Sequence, residues 1–91
     1  MKRFVIERDM PGAGTLAREQ MRAASAKSSA VLRQLEPDIQ WLESHVTQDK
    51  LYCIYLAQDA ALVRRHAEIA GFPAGKISEV KRVIDPTTAF A

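Results

Sequence analysis

The chain has a single cysteine, Cys53, among its 91 residues, so no internal disulfide can form and the cytoplasm is the expected compartment. It also lacks any long hydrophobic run. After the basic start Met1-Lys2-Arg3, the apolar stretch Phe4-Val5-Ile6 stops at Glu7-Arg8-Asp9. That is too short for a secretory core or a membrane span, and no membrane partner is expected. Charge of one sign is scarce as well: 13 basic and 11 acidic residues leave a net charge of +2, with the signs mixed along the chain. Such an imbalance calls for no polyanion. The loop Pro11-Gly12-Ala13-Gly14 has neither a GxGxxG pattern nor Gly-Lys-Ser/Thr, so it is no phosphate cradle. No CxxC pair and no serine nucleophile elbow occur. Lys50-Leu51-Tyr52-Cys53-Ile54-Tyr55 contains no glycine, unlike the RNA-contacting strand of the RNA-recognition domains, and no nucleic acid partner is expected.

What is present describes a folded chain. Apolar residues make up 47% and charged residues 26%, a globular balance, and the length suits one domain over residues 1–91 with a polar tail from Asp85. A β-branched and aromatic run predicts a first strand over Arg3 to Arg8, closed by Asp9 to Gly14. Thr15 can cap a helix to Leu35, with Met21, Ala24, Ser28, Val31 and Leu35 on its packing face, and Glu36-Pro37 ends it. Ile39 to Val46 and Lys50 to Ala57 read as strands joined by a short turn, hence an antiparallel hairpin. Asp59 can cap a second helix through Ala70, with Gly71 at its left-handed end and Pro73 beyond. A last strand is predicted from Lys76 or Ile77 to Ile84.

The order βαββαβ is the ferredoxin-like α+β pattern: a four-stranded antiparallel sheet with two helices on one face. Leu51-Tyr52-Cys53-Ile54-Tyr55-Leu56 is apolar at both phases of its alternation, as in a strand buried on both faces. Two helices cover one face only. The simplest cover for the other is a second copy, so a homodimer is expected.

Few residues offer chemistry. Glu43 and His45 stand two apart in a strand and share a face, with Trp41 assigned to the same face. A carboxylate and an imidazole at that spacing can converge on zinc, nickel, copper or iron, although a polar pair at a sheet end is the commoner meaning. His66 shares a helix face with Leu62 and Val63, where a histidine is more often a hydrogen-bonded core residue than a ligand or proton carrier. Glu7 belongs to a charged strand end with Arg8 and Asp9; such ends are mostly solvated, but Glu7 can join the face that carries other ligands. Cys53, mid-strand, reads as a small buried hydrophobe.

Three blocks in order carry a resemblance: Glu7-Arg8-Asp9 with Pro11-Gly12-Ala13-Gly14; Ile39-Gln40-Trp41 through Val46-Thr47 and Asp49-Lys50 to Tyr52-Cys53; and His66-Ala67, Gly71-Phe72-Pro73-Ala74 and Val83 to Thr88. Over nearly its whole length the chain resembles a family of small bacterial nickel-binding proteins with a dimeric ferredoxin-like fold. The family stretch matching Glu43-Ser44-His45 often has histidine first and tyrosine third, whereas here histidine is third. The resemblance implies a cytoplasmic, dimeric metal-binding protein, with nickel before other divalent ions and His66, His45, Glu43 and Glu7 as candidate ligands. Two other readings stand beside it. One is a small dimeric α+β barrel enzyme, isomerase- or monooxygenase-like, using His66 with Tyr52 or Tyr55 and Glu43; the other is a non-catalytic protein that binds a small molecule.

Overall fold

In the computed structural model, which describes residues 1–72 and 75–90, four strands and two helices follow the expected order. They are β1 (Lys2–Asp9), α1 (Arg18–Leu35), β2 (Ile39–Val46), β3 (Lys50–Ala57), α2 (Ala60–Ala70) and β4 (Ile77–Glu79). The sheet order is β2-β3-β1-β4 and every pairing is antiparallel. Pro73 and Ala74, named in the sequence reading, lie outside the described residues. Among those described, no helix is long and apolar enough to cross a membrane.

Side-chain alternation sorts the sheet into two faces. Phe4, Ile6 and Arg8 of β1 and Cys53, Tyr55 and Ala57 of β3 point under the helices and are buried. Together with Ile39, Leu32 and Val63 the apolar members of this set form the core. The other phase, Val5 and Glu7 of β1 with Tyr52, Ile54 and Leu56 of β3, is only half-buried. β3 is therefore apolar on both sides, as its sequence predicts, and among the described residues no helix lies over one of them.

The helices end where their sequences say they must. Asp59 accepts a hydrogen bond from the Leu62 N–H at 3.0 Å, satisfying one of the open donors at the start of α2. Gly71 closes α2 at φ 73°, a left-handed conformation that glycine adopts without steric cost. The start of α1 differs from expectation. Thr15 belongs to a 3-10 turn, Ala13–Thr15, and its hydroxyl donates to the Gly12 carbonyl at 2.8 Å. The α1 cap is Ala17, whose N–H donates to Gln20 Oε1 at 2.9 Å. The buried face of α1 is Ser28, Val31 and Leu32, so Ala24 of the predicted stripe stands exposed and Leu32 replaces it.

Two further differences have physical causes. β4 is three residues long and stops well short of Ile84. Its one sheet neighbour is β1, which faces it through Phe4↔Glu79 and is nearly spent at that point; a last contact runs from the Val80 N–H to the Arg3 carbonyl at 2.8 Å. Beyond it the chain carries Val83, Ile84 and Phe90 at 68%, 74% and 90% exposure. In β2 the register shifts between Trp41 and Glu43, leaving Leu42 as an extra residue. This bulge reverses the phase of the strand. Trp41 faces Tyr55 and Ser44 faces Cys53 on the helix side, whereas Glu43 faces Ile54 and His45 faces Tyr52 on the open side. Trp41 and the Glu43/His45 pair are therefore on opposite faces, which corrects the reading from spacing alone.

Candidate functional site

The four expected site residues divide between two layers. On the open sheet face, His45 Nε2 and Glu43 Oε2 are 2.7 Å apart, with the two side chains 63% and 62% exposed. Glu7 shares that face: it stands opposite Tyr52, which stands opposite His45. The row Glu7–Tyr52–His45 spans two strand spacings, so Glu7 and His45 are roughly 10 Å apart at Cα. His66 lies in the other layer, on α2 beneath the sheet, with no exposed surface. Among the described residues no three His, Cys, Asp or Glu side chains form a group that could hold a metal ion. Within one chain the open face thus offers a two-donor half-site. The donor chemistry, one imidazole and one carboxylate, fits nickel; the donor number requires more ligands from elsewhere.

His66 is a core histidine held by α1. Its Nε2 is 3.2 Å from Ser28 Oγ and 3.4 Å from the Ser28 carbonyl oxygen. A carbonyl can only accept, so Nε2 carries the proton and Nδ1 is left as a buried nitrogen without a partner among the described residues. Burial holds its pKa below the usual histidine value; the Ser28 carbonyl opposes this and the Arg8 charge reinforces it. The folded state thus binds fewer protons than the unfolded chain once the pH falls below about 6.5, the ordinary histidine value. Stability from this group is complete above that pH and declines as the pH falls toward the lowered folded value. Urea midpoints of metal-free protein should drop from pH 7 to pH 5, and His66→Phe should flatten that slope. An identical slope in the variant would remove the assignment.

Sequence reading missed a second polar cluster. Arg8, placed with the solvated strand end, is 1% exposed because its period-two phase is that of Phe4 and Ile6. One of its terminal nitrogens donates to the Tyr55 hydroxyl at 3.4 Å, and its guanidinium lies 5.7 Å from the centre of the Phe72 ring. Burial raises the Tyr55 pKa while the neighbouring Arg8 pulls it down, and the net shift is upward, so the phenol stays protonated at neutral pH. The Tyr55 ring in turn packs against the His66 imidazole, their centres 5.4 Å apart. Arg8, Tyr55 and Ser28 all reach a cleft of about 320 Å³ between the first half of α1 and the sheet.

The element order and the β2-β3-β1-β4 antiparallel sheet define a ferredoxin-like α+β protein. Within that class the chain belongs to the family described as nickel responsive protein, SCO4226-like, which it matches over residues 4–80. The family resemblance read from the sequence is thereby borne out. The structure is similar to the crystal structure of SCO4226 from Streptomyces coelicolor A3(2), with a TM-score of 0.76 and 22% identity, over 90% of this chain and 99% of that one. At that identity the likeness speaks for the fold. No curated protein matches the chain.

Proposed function

We propose that the protein is a cytoplasmic homodimer that binds a divalent transition metal, nickel before others, through Glu43 and His45, with Glu7 as a further donor. The carrying observation is the 2.7 Å contact between His45 and Glu43, exposed on the sheet face that no helix covers. Two donors that already converge need little reorganisation to share an ion. The description of the family as nickel responsive supports the choice of metal. A second copy supports the donor count: a two-fold contact presents each half-site twice, so two copies supply four imidazole and carboxylate donors before Glu7 is included. Half-buried Val5, Tyr52, Ile54 and Leu56, with the exposed Val83, Ile84 and Phe90, give that contact its apolar material. His66, in the other layer and engaged with Ser28, is left out of the set.

Calorimetric titration of nickel into metal-free, tag-free protein tests the reading. Wild type should saturate, His45→Ala and Glu43→Gln should each weaken binding at least about tenfold, and His66→Phe should leave it unchanged. Wild-type heats equal to the blank would remove it. The enzyme reading has one observation in its favour, the apolar cleft near His66, but Ser28 stands between them and His66 is not in the wall.

A further inference from the structure

The cleft under α1 has a sequence cause. Along Ala23-Ala24-Ser25-Ala26-Lys27-Ser28 the helix presents small side chains, and Ala24, Ser25 and Ser28 leave a gap of about 320 Å³ between α1 and the sheet. Trp41, Leu51 and Cys53 form the apolar wall opposite. Leu16 and Val46 also line the cleft and are 37% and 44% exposed, so apolar side chains stand where it meets solvent. Protein interiors close-pack, and a gap of this size forfeits dispersion contacts on every side. Water fills it poorly, because a buried water needs about two to four polar partners.

The polar groups that reach the cleft are already engaged. Arg8 is 1% exposed, donates to the Tyr55 hydroxyl at 3.4 Å, lies against the Phe72 ring and has a further partner besides. The Ser28 hydroxyl is 3.2 Å from His66 Nε2. The Trp41 indole N–H, turned to this face by the bulge at Leu42, donates to Ser44 Oγ at 2.9 Å. Ser25 is exposed and reaches water. A ligand therefore meets no charge in need of a counter-ion and little demand for hydrogen bonds; what the cleft leaves unsatisfied is apolar area. A carboxylate or an ammonium placed there would lose its hydration without a partner to replace it. Size sets the other limit. A dry apolar cavity of about 150 Å³ holds one benzene ring, so this cleft accommodates roughly two fused rings.

We propose that this cleft is a binding site for an uncharged, hydrocarbon-like small molecule of roughly ten carbons, held against Trp41, Leu51 and Met21 by apolar contact. It lies on the opposite sheet face from Glu43 and His45, and it goes beyond the metal reading without depending on it.

Trp41 is the only tryptophan in the chain, so its fluorescence reports directly on the wall. Adamantane-1-methanol, which does not absorb in the tryptophan band, should give a saturable Trp41 change when titrated into metal-free protein. Adamantane-1-carboxylate and the adamantane-1-methylammonium ion share its apolar body and should bind at least about tenfold more weakly. Ala24→Phe fills the cleft from an exposed helix position and should weaken the alcohol at least about tenfold with an unchanged far-ultraviolet spectrum. An ion that binds as tightly as the alcohol overturns the proposal, as does no saturation below the millimolar range by fluorescence or calorimetry. So does binding that Ala24→Phe leaves intact. Tightening of about tenfold on Phe90→Ser also overturns it, because the tail of a second copy would then be the natural occupant.

Discussion

If the proposed homodimer forms through the open sheet face, Ile54→Asp is expected to convert it to a monomer, raising its dissociation constant at least about a hundredfold. Ile54 lies at the centre of the open face, between Val5 of β1 and Glu43 of β2, with Tyr52 and Leu56 beside it along β3. In the single chain it is half-buried, and an aspartate there can still reach water, so the monomer fold should hold. In a two-fold contact the position occurs twice. Each copy loses the burial of an isoleucine, about 1.5–3 kcal/mol, and adds a carboxylate whose desolvation costs several more. Light scattering coupled to size exclusion would read the mass, and far-ultraviolet circular dichroism would report on the fold. A variant that remains a dimer at wild-type concentration would show that the contact is elsewhere. The same variant tests the metal site: if the ion needs donors from both copies, nickel affinity should fall with the dimer even though Glu43 and His45 are intact. Retained affinity in a clean monomer would make the half-site sufficient by itself.

How far the sequence discloses this molecule depends on how local the determining interaction is. The bounds of β2, β3 and α2 follow from alternation, the Asp59 cap and Gly71, all set by neighbours a few residues away. The need for a cover over β3 is legible too, because its second phase, Tyr52-Ile54-Leu56, is apolar in the sequence itself. Three features depend on partners far along the chain. The bulge at Leu42 changes which side chains share a face, and its one trace is a break in phase: Ile39 and Trp41 at odd positions, then Ser44 and Val46 at even ones. Burial of Arg8 was available from the phase of Phe4 and Ile6, but charge at a strand end argues for solvent unless the Tyr55 hydroxyl, 47 positions away, is known to wait there. The cleft is a mismatch between small residues on α1 and their distance from the sheet, and no spacing rule encodes that distance. The candidate metal pair was visible as a pair; its separation from His66 by the whole thickness of the sheet was not.

Gly75→Ala is expected to lower the melting temperature by about 10 °C, and Gly75→Val by more. A Cβ at Gly75 would overlap the backbone carbonyl oxygen of Glu7, a group that cannot swing aside as a side-chain tip can. Relief requires the two backbones to separate. The next residue is where they are joined, the Glu7 N–H donating to the Lys76 carbonyl at 2.8 Å. From there β4 pairs Ile77 with Ile6 and Glu79 with Phe4, and Ile77 packs on the core. Overpacking of this kind costs about 1–3 kcal/mol, and in a domain of this size each kcal/mol lowers the melting temperature by roughly 4–8 °C. Gly12 provides the contrast. It has a positive φ of 77° but its Cβ would meet only the Thr15 hydroxyl, at 3.7 Å, so Gly12→Ala should cost about 1 kcal/mol from backbone conformation alone. Thermal melts of both variants at one protein concentration separate the two causes, since dimerisation would otherwise shift the midpoint. A Gly75→Ala midpoint no lower than that of Gly12→Ala would mean that β4 can move away from β1 at little cost. In that case the edge of the sheet beside Glu7 is loose, and Glu7 is poorly placed to complete an ion's coordination; a large loss would instead mark Glu7 as held in position by the strand at its back.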